Sequence, residues 1–158
     1  MQIALLFAFM VVAQVSEPCT SEVLSHEVSS RLHVKDGPDI VTVTITARTR
    51  SSREEFGDRF RRGQFPDAIN VVTEVKIVVN GEALYVPRSV FLDVAGVRKA
   101  RVCWKGSLGQ LIFNGGDGSE SFRVEVEFDR TATRRRTVFS GELPTKPLEE
   151  TRYHQVSL

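Results

Sequence analysis

The sequence predicts an all-β fold, an antiparallel β-sandwich or Greek-key barrel of about seven to nine short strands with one short helix. Three observations predict it. Apolar and polar residues alternate at period two in several runs, Asn80-Gly81 is a two-residue hairpin signal between two such runs, and no strand–helix–strand alternation is present.

Residues 14–30 are polar, with Val23, Leu24 and Val28 too sparse for a long helix, and read as a tail with an edge strand. In residues 40–47, Val41, Val43, Ile45 and Ala47 alternate with Thr42, Thr44 and Thr46, the pattern of a strand with one buried and one wet face. A helix interrupts the strands: Ser52-Arg53-Glu54-Glu55 is a capping box, Phe56 and Phe60 stand four apart, and Gly63 is a stop. Residues 71–79 form another β-branched run that ends in Val79-Asn80-Gly81-Glu82. Because Asn-Gly accepts the positive φ angles of a type I′ turn, Ile77 is expected opposite Leu84 and Val75 opposite Val86, with Lys76 and Tyr85 on the other face.

Pro87 has no N–H to extend that ladder, and residues 88–94 read as a turn that carries Val90 and Phe91 inward. Strands at 97–104 and 108–113 precede the glycine-rich turn Asn114-Gly115-Gly116-Asp117-Gly118. In residues 122–128, Phe122, Val124, Val126 and Phe128 take the core side and Arg123, Glu125 and Glu127 the wet side. A connection at 129–132 then sets Glu127 opposite Arg134 and Glu125 opposite Arg136 on the solvent face. Beyond Pro144 the chain is proline-broken and charged until residues 151–156, which read as a last edge strand.

The unbroken apolar run at residues 3–13 is too short to span a bilayer and ends in Val11-Val12-Ala13, with short side chains where a signal peptidase inspects them. It reads as a signal peptide at 1–13, leaving residues 14–158 as a single β-sandwich domain, exported to the periplasm or the extracellular space, with no transmembrane segment in the mature chain. Cys19 and Cys103 are the only two cysteines, which in an oxidising compartment reads as one disulfide. The bridge would close a loop of about 84 residues and contribute about 4 kcal/mol by the chain-entropy argument. Because 21 Lys and Arg offset 20 Asp and Glu, no basic excess is available for nucleic acid, and none is expected as a partner.

Catalytic and metal patterns are weak. His26, His33 and His154 have no metal-ligand spacing, and neither cysteine belongs to a CxxC pair. Ser107 and Ser119 lie beside glycines but outside a nucleophile-elbow pattern. The carboxylates Asp117, Glu120, Glu125, Glu127 and Asp129 are close in sequence, yet Glu125 and Glu127 share a wet face with arginines and read as solvated ion-paired groups. Asp117-Gly118-Ser119-Glu120 lacks the alternating ligands of an EF-hand and reads as a glycine turn. No cofactor or metal is expected.

Arginines cluster at 48–62 and 130–136, where an anionic polysaccharide, a lipid head group or a solvated face are all compatible. The resulting expectation is an exported, non-enzymatic β-sandwich acting as a binding or structural module toward a protein or cell-envelope component. Arg59, Arg61, Arg62 and Asp117 are the candidate contact residues, on loops carried by a rigid scaffold. The alternative is a small secreted hydrolase acting on glycan or peptide through carboxylates brought together from distant strands.

Overall fold

A computed structural model describes residues 18–24, 27, 29–51 and 68–154. The leader at 1–13, the capping-box helix with Arg59, Arg61 and Arg62, and the last residues of the expected 151–156 strand lie outside the described residues.

The described residues form ten strands, the longer ones with period-two burial: β1 (Cys19–Val23), β2 (Ser29–Asp36), β3 (Asp39–Ser51), β4 (Ala68–Val79), β5 (Glu82–Ala83), β6 (Val97–Lys105), β7 (Leu108–Gly115), β8 (Phe122–Asp129), β9 (Thr133–Ser140) and β10 (Pro147–Arg152). All pairings are antiparallel. They build a six-stranded sheet in the order β1-β6-β7-β8-β9-β10 and a four-stranded sheet in the order β2-β3-β4-β5, packed as a sandwich.

The core is what the alternation dictates. Leu32, Val34, Val41, Val43, Ile45, Val75, Ile77 and Val79 from the smaller sheet meet Ala100, Val102, Trp104, Leu111, Phe113, Val124, Val126 and Phe128 from the larger one. Each large side chain so buried contributes about 1.5–3 kcal/mol relative to exposure. A single 3-10 turn at Arg88–Val90 drops Val90 and Phe91 onto this core, as their spacing after Pro87 implies.

The Asn80-Gly81 hairpin forms with positive φ at both residues, 53° and 89°. Leu84 N donates to Ile77 O at 2.9 Å, and Leu84 and Val86 pack partly buried against the core. The ladder itself ends at Ala83, so Val75 and Val86 share a face without pairing.

Three expectations need correction. The polar opening carries the expected edge strand, β1, and runs on into a strand that was not expected, β2, whose inward positions are Ser30, Leu32 and Val34 and whose two large apolar residues are too few to stand out. The last edge strand lies at Pro147–Arg152, upstream of 151–156, because proline is tolerated as the first residue of an edge strand.

The β8–β9 register is also shifted. A bulge between Glu127 and Phe128 pairs Glu127 with Arg135 and Glu125 with Thr137. Arg135 therefore bridges Glu127 and Glu150, while Glu125 meets Arg123 Nε at 2.7 Å. Arg134 instead meets Asp129 at 2.6 Å. Arg136 falls opposite core-facing Val126 and turns inward, only 3% exposed. There its guanidinium donates to both Asp93 oxygens at 2.7 and 2.9 Å, to Glu149 at 2.7 Å and to the Val90 carbonyl at 3.2 Å.

The two ends of the sandwich differ. At one end, hairpins β2–β3, β4–β5, β6–β7 and β8–β9 close through short turns around buried Asp39. Its carboxylate accepts from Arg130 Nη2 at 2.6 Å, Asn80 Nδ2 at 2.7 Å and the buried Trp104 indole N–H at 3.2 Å, so one side chain ties both sheets together. These bonds, Arg130's first, hold the Asp39 carboxyl down at about 2. Nearby, burial alone would raise Asp129, but Arg134, the Thr131 N–H and hydroxyl, and the Ala132 N–H outweigh it and pull this carboxyl well below the usual range.

Candidate partner-binding groove

Among the described residues, the opposite end is open. β1 ends there at Val23, β4 begins there at Ala68, and residues 95–98 and 116–122 turn over it, leaving a groove of about 790 Å³. Leu24, Ile69, Val97 and Phe122 form apolar walls, and Val23 stands 71% exposed at the margin.

Backbone geometry builds the groove floor. Gly96 adopts φ of +70°, which allows its N–H to reach Asn70 O at 2.6 Å while its carbonyl accepts from Gly116 N at 3.2 Å. These bonds hold three chain segments side by side without a side chain intervening.

Asp117, the candidate singled out from the glycine turn, lines this groove and pairs with Arg98 across its mouth. The partners are 62% and 75% exposed, so the pair is worth less than about 1 kcal/mol and is available for exchange with a partner's charges. Arg98 was missed from sequence. Register alone does not announce it: the Gly106-Ser107 hairpin runs in register to Lys99 opposite Asn114, and a bulge at Arg98 then sets Val97 opposite Gly115 and frees Arg98 to reach the turn that follows.

Residues 118–120 form a 3-10 turn in which Asp117 O and Gly118 O accept the N–H groups of Glu120 and Ser121 at 2.9 and 3.2 Å. Those oxygens are therefore used by the backbone, and Asp117 by Arg98. Among the described residues, no three His, Cys, Asp or Glu side chains are grouped to hold a metal. His33 shares a 3.2 Å hydrogen bond with Thr42 Oγ1, and His154 is exposed.

The other carboxylates among the described residues do not converge on the groove. Glu125 and Glu127 lie in ion pairs on the six-stranded sheet, and Asp39 and Asp129, whose protonation the fold perturbs, are shifted down at the far end. Among the described residues, Glu120 alone joins Asp117 in the groove.

Cys19 and Cys103 are directly paired across β1 and β6 and form a disulfide, with Arg101 Nη2 3.1 Å from Cys19 Sγ. The bridge fastens an edge strand of only five residues to the sheet. Among the described residues, no helix is long and apolar enough to cross a membrane. Comparison of the chain with protein-family models, curated proteins and solved structures finds no match.

Proposed function

We propose that this chain is an exported, non-enzymatic β-sandwich that binds a protein or cell-envelope partner through the groove at its open end. The observation that carries the reading is the groove itself, within the 300–1,000 Å³ range of recognition pockets, with apolar walls and two opposite, exposed charges at its mouth. An apolar contact seated between Ile69 and Phe122 would supply affinity, and Arg98 with Asp117 would fix its orientation. Export is supported by the apolar start of the sequence and by the disulfide, which suits an oxidising compartment.

Capture of a partner from the extracellular or envelope fraction tests this. Replacing Asp117→Lys together with Val23→Asp is expected to abolish capture while leaving thermal unfolding unchanged. Undiminished capture by that variant rejects the groove as the contact surface.

The hydrolase alternative draws on Asp117 and Glu120 lining one groove. Turnover of a glycan or peptide by the purified chain, lost in Asp117→Asn and Glu120→Gln alike, would replace the binding reading with it.

A further inference from the structure

We propose that the outer face of the four-stranded sheet binds an anionic polysaccharide. The face is defined by register: Arg31 pairs with Thr44 and Thr44 with Lys76, so the two cations flank one threonine in a row across three strands. Their Cα atoms are therefore about 10 Å apart, two strand spacings. Lys35 lies four residues further along β2, roughly 13 Å from Arg31. Arg48 extends the same face of β3 beyond Thr46.

These four cations are exposed and make no ion pair or hydrogen bond among the described residues. Among the described residues, Glu74 is the one carboxylate on the face, and it accepts from Thr46 Oγ1 at 3.4 Å. The six-stranded sheet presents the contrasting case, where Arg123, Arg135 and Arg152 are each matched by Glu125, Glu127 or Glu150. Unmatched positive charge on one wet face of a chain with net charge +1 is therefore a local excess.

Chemistry beyond charge selects a polysaccharide. The Thr44 hydroxyl stands between Arg31 and Lys76 with no protein partner among the described residues, and Thr42, Thr46 and Ser29 place further hydroxyls in adjacent rows. Tyr85, one residue past the Leu84 that faces inward, is 80% exposed at the β5 side and offers a ring for stacking on a sugar face. A lipid surface would want apolar side chains to insert, and this face offers little beyond Ile40 and Tyr85.

The surface is separate from the groove at the open end, so the groove variant Asp117→Lys with Val23→Asp is expected to leave it intact. The test is retention of the full chain on immobilised heparin and titration with soluble heparin across salt concentrations. Wild type is expected to be retained at physiological ionic strength, and R31Q/K35Q/K76Q to bind about tenfold more weakly, the combined effect of three exposed ion pairs. Tyr85→Ala is expected to weaken binding severalfold without changing its salt dependence. The comparison variant K99Q/R101Q/K146Q, with the same charge change away from this face, should bind like wild type. Circular dichroism of each variant verifies folding. Equal loss in the comparison variant would reduce the effect to net charge and overturn the proposal. So would absence of heparin retention, or binding to vesicles of anionic phospholipid with none to heparin.

Discussion

Gly109 sits directly opposite Phe128 in the β7–β8 ladder, and its lack of a side chain is what lets that ring lie flat across the strand. A Cβ at this position would stand 2.8 Å from Phe128 Cε1 and closer still to Cε2 and Cζ, separations that real atoms do not sustain. The ring has nowhere to go, being fully buried with its centroid 5.9 Å from that of Trp104. Gly109→Ala should gain about 0.4–1 kcal/mol by restricting the unfolded chain and lose about 1–3 kcal/mol through overpacking. The second effect is expected to win, giving net destabilisation of about 1–2 kcal/mol in denaturant unfolding at 25 °C. Phe128→Leu makes room for the new methyl group, so it should cost less in the Gly109→Ala background than in wild type. A Gly109→Ala protein as stable as wild type, or strictly additive effects in the double-mutant cycle, would show that the ring is not confined as described.

Further expectations concern charge and covalent linkage. The carboxyls of Asp39 and Asp129 are lowered in the folded chain, so their stabilisation is present above the unfolded value near 4 and is lost as pH falls toward 2; melting temperature should drop across that window and do so less steeply in Asp39→Asn. Asp93→Ala and Glu149→Ala together leave the buried Arg136 guanidinium with the Val90 carbonyl alone, and should cost about 3 kcal/mol in denaturant unfolding, far more than either change singly. Opening the Cys19–Cys103 bridge should cost about 4 kcal/mol, read as the shift of the urea transition in reductant, and alkylation of the denatured, unreduced chain should find no free thiol.

The larger architecture was legible because it rests on local rules. Alternation in residues 40–47 and 122–128 marks strands wherever they end up, and Asn80-Gly81 specifies its turn without help from the rest of the chain. Asp117 could be marked as a loop residue, but not as one side of a groove, because its partner Arg98 arrives through a bulge in the β6–β7 ladder. Arg136 illustrates the limit. One bulged residue in β9, Arg134, moves it from the wet face to the interior, and no pattern within β9 announces that reversal. Asp39 was equally silent, since Trp104, Asn80 and Arg130 are far from it in sequence and only the closed sandwich brings them to one carboxylate.

That carboxylate also gives the molecule a polarity of its own. With Asp39 pinning the hairpin ends together, a lengthened connection there would have to displace a buried anion from three donors, whereas added residues at the groove end would meet no comparable knot among the described residues. Divergence in loop length among descendants of this chain should therefore accumulate at a single pole, making the other a fixed base from which new recognition surfaces are grown.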